Sequence, residues 1–180
     1  MKIGVFIGRL NPPHKGHINT IEKSLESDDK TIVILGSANM IDENNPFGVE
    51  ERGEMLKSNF PGHSFVLEGL EDTESDLDWV VRIREIVLKH AGEFKEISFY
   101  GGDFENDSAI KVLKQFEKEL GFKSINFVEY SRKTLCFIHN GETCYYSSTL
   151  VRDCMKRGDK ELLEKLLSKD VFKRLKNIHF

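Results

Sequence analysis

Short apolar runs alternate with amphipathic stretches through the first 128 residues of the chain. The apolar runs are rich in β-branched residues and predict five buried strands: Lys2–Ile7, Thr31–Leu35, Ser64–Leu67, Glu96–Tyr100 and Ser124–Val128. Between them, apolar residues recur every three or four positions and predict four helices: His14–Leu25, Glu50–Ser58, Leu77–Ala91 and Asp107–Leu120. Strands that alternate with helices indicate βαβ units. We therefore predict an α/β fold, a Rossmann-like doubly wound parallel sheet of about five strands.

The remainder of the chain follows a different pattern. An Asn-Gly pair, Asn140-Gly141, is a strong turn signal and predicts a hairpin within Cys136–Tyr146. Three short amphipathic stretches then predict closing helices at Ser148–Lys156, Lys160–Leu167 and Val171–Lys176. We expect one domain over residues 1–180, in which an α/β core (1–146) carries a small cap of C-terminal helices (147–180).

Composition narrows the class of protein. The 180 residues carry 26 Lys and Arg against 30 Asp and Glu, a formal net charge of −4. Proteins that bind nucleic acid through counterion release are usually basic, so this balance argues against one, although it leaves room for a local basic pocket. No stretch approaches the run of about 18 apolar residues that a membrane-spanning helix needs. The three cysteines lack CxxC spacing, as is typical of reduced thiols, and we expect a cytoplasmic protein that binds neither nucleic acid nor membrane.

The loop after the first strand has the densest candidate chemistry. It reads Gly8-Arg9-Leu10-Asn11-Pro12-Pro13-His14-Lys15-Gly16-His17 and leads directly into a predicted helix. Parallel sheets bind ligands at the carboxyl ends of their strands, and a helix N-terminus preceded by glycine favours anions. Two imidazoles spaced three residues apart, with Arg9 and Lys15, add side-chain donors. Taken singly, each histidine is more simply a surface or core residue, and a metal-binding pair has no evident third ligand nearby.

A second candidate phosphate site lies near the C-terminus, in the segment Tyr146-Ser147-Ser148-Thr149-Leu150-Val151-Arg152. Ser147 and Ser148 are favoured helix N-cap residues, and hydroxyls with free amides at such an end bind phosphate oxygens. Arg152, about one helical turn later, adds a planar guanidinium that can bind phosphate through two donors. By itself the segment fits an ordinary helix start with a surface arginine equally well.

Together the two segments resemble a known pair of motifs. Pro12-Pro13-His14-Lys15-Gly16-His17 resembles the HxGH motif of the nucleotidylyltransferase superfamily, and Tyr146–Arg152 is similar to its I-S-S-T-x-I-R segment. Within that superfamily, Gly-Arg-Leu-Asn-Pro-Pro-His looks like the Gly-Arg-Phe-Gln-Pro-x-His of archaeal-type nicotinamide mononucleotide (NMN) adenylyltransferases. The resemblance implies an enzyme that transfers AMP from ATP to NMN and yields NAD and pyrophosphate.

The resemblance also implies roles for individual residues. His17 is expected to stabilise the α-phosphate in the transition state, while His14 and Arg152 contact the phosphate chain. These three are the expected catalytic residues. Further nucleotide and phosphate contacts are expected from Gly8, Arg9, Lys15, Ser147, Ser148, Thr149 and Asp103. The magnesium ion (Mg²⁺) is expected to be carried by the triphosphate, mainly through phosphate oxygens and water, with no dedicated protein metal site.

Three elements after the second strand bear on the acceptor. Gly36-Ser37-Ala38, Asn45-Pro46-Phe47 and Glu51-Arg52 are similar to elements of the same group, in the same order. The similarity implies that Asn45 and Phe47 bind the mononucleotide. Asn44 stands where the group usually has a basic residue, and a Glu-Arg pair on a helix can be merely structural.

Trp79, the single tryptophan, is similar to a residue of the group that stacks on nicotinamide. A cationic ring would gain about 0.5–2 kcal/mol from such an aromatic face. Six acidic residues between Glu68 and Asp78 should disfavour the extra carboxylate of nicotinate mononucleotide. We therefore predict that Trp79 binds the mononucleotide and that NMN is preferred. A core tryptophan beside a solvated acidic loop is the simpler alternative.

Other interpretations stay open. Adenylyl- or cytidylyltransferases for nicotinate mononucleotide, phosphopantetheine or FMN share both phosphate motifs, and a nucleotide-sensing module without catalysis is a further alternative. In the loop Gly101-Gly102-Asp103, Asp103 could bind a ribose hydroxyl, whereas Asn106 or Asp107 could simply cap the next helix. A redox dinucleotide-binding domain is disfavoured because no GxGxxG follows the first strand. A homo-oligomer is compatible with such a fold, although the sequence has no readable interface.

Overall fold

The computed structural model describes residues 1–91, 96–103, 105–130 and 135–179, with side chains up to residue 175. Five parallel strands form the central sheet: β1 (Lys2–Gly8), β2 (Lys30–Leu35), β3 (Val66–Gly69), β4 (Glu96–Gly101) and β5 (Ile125–Glu129). Their order is β3-β2-β1-β4-β5, so the chain winds outwards from β1 in one direction and then in the other. The predicted doubly wound, Rossmann-like arrangement is confirmed.

Helices pack on both faces of this sheet. They are α1 (Lys15–Ser27), α2 (Val49–Lys57), α3 (Asp76–Ala91), α4 (Ser108–Gln115) and α5 (Glu117–Leu120). Alternate residues of β1 point into two hydrophobic clusters, because successive side chains of a strand face opposite ways. Ile3, Val5 and Ile7 pack with α3, α4 and α5, whereas Phe6 packs with α1 and α2. Burial on both faces explains the continuous apolar runs in the sequence.

The C-terminal part of the described chain forms a hairpin and a cap. The hairpin strands are β6 (Cys136–His139) and β7 (Glu142–Tyr145), and the cap helices are α6 (Ser148–Arg157), α7 (Lys160–Leu166) and α8 (Lys169–His179). Asn140 and Gly141 have φ angles of 50° and 81°, as the predicted two-residue turn requires.

The cap has its own hydrophobic cluster, which includes apolar residues of α6, α7 and α8 together with Phe47 and Met55. The cap thereby packs on the segment between β2 and the end of α2. The prediction of one domain over 1–180, divided near residue 146, stays a prediction. Within the described ranges, no helix is both long and apolar enough to cross a membrane.

The third strand differs from its predicted position. It runs over Val66–Gly69, two residues later than Ser64–Leu67, and ends level with Leu35 of β2. Phe65 stays outside the strand and packs its ring edge-on against Phe60, with centroids 5.7 Å apart. Its apolar character therefore reflects packing beside the sheet rather than membership of a strand.

The predicted helix Asp107–Leu120 is two helices. Phe116 separates α4 from α5, with φ −109° and ψ 31°, outside the helical region. Its ring packs against the core cluster on one face of the sheet. The apolar spacing continues across the break, so periodicity alone does not report this tertiary contact.

Candidate active site

A cavity of about 590 Å³ opens at the carboxyl ends of the central strands. Small-molecule sites commonly have volumes of about 300–1,000 Å³. The cavity is lined by five residues that the sequence predicts for the site: Gly8, Arg9, His14, His17 and Trp79. The structure therefore brings the histidine motif and the single tryptophan to one cavity.

His14 and His17 cap the start of α1 reciprocally. The backbone N–H of His17 donates to Nδ1 of His14 over 3.4 Å, and the backbone N–H of His14 donates to Nδ1 of His17 over 3.3 Å. The two rings stack with their centroids 3.6 Å apart. An imidazole whose Nδ1 accepts a hydrogen bond carries a proton on Nε2. Each imidazole can therefore donate from its other nitrogen to an anion.

Gly16 leaves the space that this arrangement needs. A Cβ atom there would lie 3.1 Å from Nδ1 and Cε1 of His14 and 3.1 Å from Cβ of Tyr146. Tyr146 lines the cavity, and its ring lies within 23° of parallel to the His14 ring at 6.3 Å between centroids. The glycine between the histidines thus lets a residue of the second motif pack against the first.

Asn11 anchors the loop before the histidines. Its buried side-chain amide exchanges two hydrogen bonds with the backbone of Phe47: Nδ2 donates to the carbonyl oxygen over 2.9 Å, and Oδ1 accepts from the N–H over 3.0 Å. Phe47 itself is 1% exposed and packs in the cluster of the cap. The structure does not bring Phe47, predicted to bind the mononucleotide, to the cavity wall.

Asn45 is also absent from the wall. It is buried, and its Nδ2 donates to Oδ1 of Asp42 over 3.1 Å. The same oxygen accepts the backbone N–H groups of Asn44 over 2.7 Å and of Asn45 over 2.8 Å. These hydrogen bonds, first the one from Asn44, hold the pKa of Asp42 below its usual value. The segment before Phe47 thus folds around a carboxylate and supplies no positive charge.

The second predicted motif forms the start of α6 and contacts the first loop. Oγ of Ser147 accepts the N–H of Leu150 over 3.1 Å and caps the helix, as predicted for this residue. The hydroxyl of Ser148 donates to the carbonyl oxygen of Pro12 over 3.3 Å. Both serines therefore lie beside the loop, although neither lines the cavity.

Arg152 makes the closest link between the two motifs. Its Nη1 donates to the carbonyl oxygen of Asn11 over 2.9 Å, and its Nη2 donates to Oγ1 of Thr149 over 3.4 Å. Burial lowers the pKa of Arg152, and the nearby positive charge of Arg9 lowers it further. Arg9 lines the cavity, and Arg152 donates to a carbonyl oxygen of the same loop two residues later.

Lys15 points to the cap instead of the cavity. Its Nζ donates to the carbonyl oxygens of Glu164 over 3.1 Å and Lys165 over 2.8 Å, in the last turn of α7. Partial burial there lowers its pKa. The structure thus gives Lys15 a place at a helix C-terminus, where a cation is favourable, and does not bring it to the predicted phosphate site.

Asp107 takes the helix-cap role that the sequence suggested for it, whereas Asp103 stabilises a turn. Asp103 accepts the N–H of Glu105 over 3.3 Å and the Nδ2 of Asn106 over 3.1 Å, so it closes the turn after β4. Asp107 lines the cavity while its carboxylate caps α4 and accepts the N–H of Gly102 over 2.9 Å. Asp103, which the sequence suggested as a ribose contact, does not line the cavity, whereas Asp107 does.

Trp79 lines the cavity together with three residues of the acidic segment before it, Asp72, Glu74 and Asp76. Glu68, the first of the six acidic residues, lies elsewhere and pairs with Lys89 over 2.7 Å and with His90. These contacts, first the hydrogen bond from Lys89, lower the pKa of Glu68. Of the six acidic residues of this segment, three therefore line the cavity with the tryptophan.

Sequence reasoning assigned no ligand contact to several residues of the wall, namely Thr20, Ser37, Asp72, Ser108, Ala109, Val112, Tyr130 and Tyr146. Tyr130 directly follows β5, and Ser108 begins the helix after β4. The rule that ligands bind at the carboxyl ends of parallel strands could have found both. Val112 and Ala109 look like ordinary core positions in the sequence, so no signal distinguishes them.

Comparison with known proteins identifies the family and the relatives that this chain resembles. The sequence profile of the cytidylyltransferase-like family matches residues 5–154. The chain is 25% identical over 184 residues to the nicotinamide/nicotinic acid mononucleotide adenylyltransferase of Acinetobacter baylyi, covering 95% of this chain and 89% of that protein. It is 29% identical over 185 residues to the nicotinamide-nucleotide adenylyltransferase of Pyrococcus furiosus, covering 99% and 85%.

Solved structures show the same fold. A bifunctional NMN adenylyltransferase/ADP ribose pyrophosphatase from Francisella tularensis superposes with a TM-score of 0.73 at 24% identity, covering 98% of this chain and 50% of that chain. A structure of the bifunctional protein from the same organism with AMP and a manganese ion gives a TM-score of 0.66 at 25% identity, covering 94% and 43%. The chain thus spans about half the length of these solved structures.

Proposed function

The chain belongs to the cytidylyltransferase-like family of nucleotidyltransferases, and on that premise we propose that it transfers AMP from ATP to NMN, forming NAD and releasing pyrophosphate. The observation that carries the proposal is the reciprocal His14–His17 pair, in the wall of a cavity that Trp79 also lines. Two relatives that align over most of the chain support a pyridine mononucleotide acceptor, since one is named for the nicotinamide nucleotide and the other for both the nicotinamide and the nicotinic acid mononucleotide.

The proposed reaction is an in-line displacement at the α-phosphorus of ATP. A phosphate oxygen of NMN forms a bond to this phosphorus, the bond from phosphorus to the bridging β-phosphate oxygen breaks, and pyrophosphate leaves. The second pKa of a phosphate monoester is about 6, so the acceptor is largely dianionic at neutral pH and needs no general base. The task of the protein is therefore to align both substrates and to stabilise the developing charge.

Each donor near the cavity has a place in this proposal. His17 donates from Nε2 to the α-phosphate as negative charge builds up, and His14 donates to the phosphate chain. Arg9 and Arg152 bind the phosphates that leave as pyrophosphate, because a planar guanidinium can donate twice to one phosphate. Arg9 lines the cavity and Arg152 is bound to Asn11 of the same loop, which supports this pairing.

The start of α6 completes the proposed phosphate site. Ser147 caps this helix and Ser148 and Thr149 begin its first turn, where backbone N–H groups and the helix dipole favour an anion. Contact between Ser148 and the loop carbonyl of Pro12 supports the proposal, because it holds this helix end against the first motif.

Magnesium enters this proposal with the triphosphate. Over the part of the chain that the structure describes, no group of three or more His, Cys, Asp or Glu side chains could hold a metal ion. Phosphate oxygens and water are the ligands that Mg²⁺ prefers when a protein offers few carboxylates. When bound, the ion would neutralise part of the charge that Arg9 and Arg152 must otherwise balance.

The acceptor end of the proposed site favours NMN over nicotinate mononucleotide. Asp72, Glu74 and Asp76 line the cavity with Trp79, and like charges repel across a cleft more strongly than in open water. The extra carboxylate of nicotinate mononucleotide therefore weakens its binding, while the cationic ring that both ligands share is attracted to the indole face.

A pyrophosphate-release assay tests the proposal. ATP and CTP are each combined with NMN, nicotinate mononucleotide, phosphopantetheine and FMN, and the dinucleotide product is identified by mass. We expect the highest kcat/KM for ATP with NMN. A preference for nicotinate mononucleotide would contradict the proposed selectivity. A preference for CTP, or for phosphopantetheine or FMN, would show that the proposed substrates are wrong. Binding of ATP without pyrophosphate release from any pair would favour a nucleotide sensor.

A further inference from the structure

Arg52 of α2 is the largest fully buried side chain in the described part of the protein, with 0% of its surface exposed. Its guanidinium contacts backbone carbonyl oxygens of three segments. Nη1 donates to Arg9 and, over 2.8 Å, to Gly36, while Nε donates to Gly48 over 3.3 Å and Nη2 approaches Ser37 at 3.5 Å. One side chain thus joins the loop after β1, the loop after β2 and the start of its own helix.

This buried charge has an unusual environment. Among the residues that the structure describes, no carboxylate pairs with the Arg52 guanidinium. Burial of a cation without a counter-charge costs several kcal/mol, and burial lowers the pKa of Arg52. An apolar side chain would avoid that cost. The hydrogen bonds to backbone carbonyl oxygens offset part of that cost and hold the loops after β1 and β2.

The carbonyl groups that Arg52 binds determine the direction of two peptide groups. In a trans peptide the N–H points opposite to the C=O, so the N–H groups of Leu10 and Ser37 point away from Arg52. Leu10 and Ser37 both have left-handed backbones, with φ of 50° and 48°. Such conformations are costly for residues other than glycine and persist only where neighbours hold them. Backbone N–H groups around such residues are known to form anion-binding concavities.

Both turns border the cavity. Arg9, Gly36 and Ser37 line it, and the hydroxyl of Ser37 donates to Oδ1 of Asp72 over 3.0 Å. Asp72 shares the wall with Trp79, so the turn after β2 belongs to the part of the cavity where we place the acceptor. A negatively charged acceptor phosphate has to bind there despite three nearby carboxylates and a net charge of −4.

We propose that Arg52 is a positioning residue for the acceptor phosphate. It orients the N–H groups of Leu10 and Ser37 and places a fixed positive charge behind them, and these groups then bind the phosphate of the mononucleotide. A charge in a low-dielectric interior acts over a longer range than one in water, so the guanidinium need not touch the ligand. The inference rests on the proposed function, since it takes the acceptor to be a mononucleotide.

Two ligands that differ only by the phosphate test this role. NMN and nicotinamide riboside are titrated against the full chain, and binding is followed by the fluorescence of Trp79, the single tryptophan. Arg52→Lys keeps the charge but cannot donate to all of these carbonyls at once. We expect its Kd for NMN to rise about tenfold, because a misdirected backbone N–H would lose its charge-assisted hydrogen bond to the phosphate. Its Kd for nicotinamide riboside should stay within about twofold of the wild type.

Arg174→Met is the matched control. Arg174 lies on α8 and pairs with Glu54 of α2 over 2.7 Å, so this variant also removes a cation bound to α2. Because that ion pair is exposed and neither residue lines the cavity, both Kd values should remain at the wild-type level. Thermal unfolding of each variant verifies that it is folded before titration.

Substitution of Ser37 tests the same turn without touching the buried arginine. Ser37→Ala removes the hydroxyl and keeps the left-handed strain, whereas Ser37→Gly also frees the backbone. We expect the glycine variant to bind NMN about threefold more weakly than the alanine variant, with equal binding of nicotinamide riboside. If Arg52→Lys does not fold, equal NMN binding by the two Ser37 variants would overturn the proposal, because the direction of this peptide group would then not affect the acceptor phosphate.

The possible outcomes separate the two proposals. Equal weakening of NMN and nicotinamide riboside in Arg52→Lys would overturn the positioning role and leave Arg52 as general support of the fold. Unchanged NMN binding in a folded Arg52→Lys variant would overturn it as well. If the wild-type chain binds neither ligand, the proposed acceptor itself is wrong, and the role of Arg52 falls with it.

Discussion

The two predicted phosphate motifs rest on different parts of the molecule. The first follows β1, which pairs with β2 and β4 at the centre of the sheet, so strand register determines its position. The second begins α6, whose apolar residues pack with the cap helices. His14 and His17 of the first motif line the cavity, whereas Ser148 and Arg152 of the second hold the backbone of the loop beside it.

This difference shows that residues of a predicted phosphate-binding motif can also form hydrogen bonds to the protein backbone. A guanidinium has five N–H donors, and Arg152 uses two of its nitrogens on Asn11 and Thr149. It can therefore keep the first loop in place and still donate to a phosphate. Substitutions in the first motif should affect the chemical step, while substitutions in the second should affect both loop geometry and nucleotide binding.

The largest effect is expected for His17→Ala. Removal of one preorganised donor to a developing negative charge typically lowers kcat by about 10²–10³. The KM for ATP should change little, because the donor acts mainly in the transition state. Steady-state kinetics at saturating NMN measure both constants. A raised KM with unchanged kcat would place His17 in ground-state binding and contradict the assigned role.

Arg152→Ala should have the next largest effect. It removes the contact with the Asn11 carbonyl and the proposed contact with the leaving phosphates. Loss of one or two charge-assisted hydrogen bonds corresponds to a fall in kcat/KM of about 10–100-fold. Both kcat and the KM for ATP should change.

Arg152→Lys separates the effect of charge from that of geometry, because lysine keeps the positive charge but lacks the planar guanidinium that donates to two acceptors. It should recover less than half of the loss in kcat/KM on a logarithmic scale. Full recovery in the lysine variant would show that charge alone matters and that the contact with the loop is incidental.

Gly16→Ala is expected to separate activity from stability. Alanine in a helix is favoured over glycine by about 0.8–1 kcal/mol, yet its Cβ would lie 3.1 Å from both His14 and Tyr146. The ring of His14 must shift, and a small misplacement of a catalytic group lowers kcat by about tenfold. Tm by calorimetry should remain near the wild type. A variant that loses stability but retains kcat would mean that the tight contact matters for packing alone.

Most of the fold was accessible from the sequence because buried parallel strands produce continuous apolar runs. The central strands β1, β2 and β4 were predicted within one residue at each end. The edge strand β3 was displaced, because Phe65 beside it is as apolar as a strand residue and packs on Phe60. Helical periodicity also did not predict the break at Phe116, because the packing of Phe116 against the core cluster overrides the local preference for a continuous helix.

The site was predictable where its contacts are local. His14 and His17 are three residues apart, so their reciprocal capping follows from helix geometry. Contacts between distant segments were not predictable. Arg52 looks like a solvated residue of a surface helix, and only the fold reveals that it is buried beneath two strand-end loops.

The smallest effect is expected for Lys15→Met, which tests whether every cation of the first motif acts on the nucleotide. Lys15 belongs to the first motif by sequence, but its Nζ donates to the carbonyl oxygens of Glu164 and Lys165 in α7. A cation at a helix C-terminus contributes about 0.3–1 kcal/mol, so Lys15→Met should lower Tm by about 1–4 °C. Because Lys15 does not line the cavity, kcat and the KM for ATP should stay within about twofold of the wild type.

Lys23→Met is the control for that measurement, since Lys23 lies on the same helix and forms an exposed ion pair with Glu26. It should change neither Tm nor kinetics appreciably. A tenfold rise in the KM for ATP in Lys15→Met, with Tm unchanged, would restore the phosphate contact that the sequence predicted. Lys15 would then have to leave the carbonyl groups of α7 when the nucleotide binds. In that case residues of both motifs would bind protein backbone in this structure and phosphate in the complex.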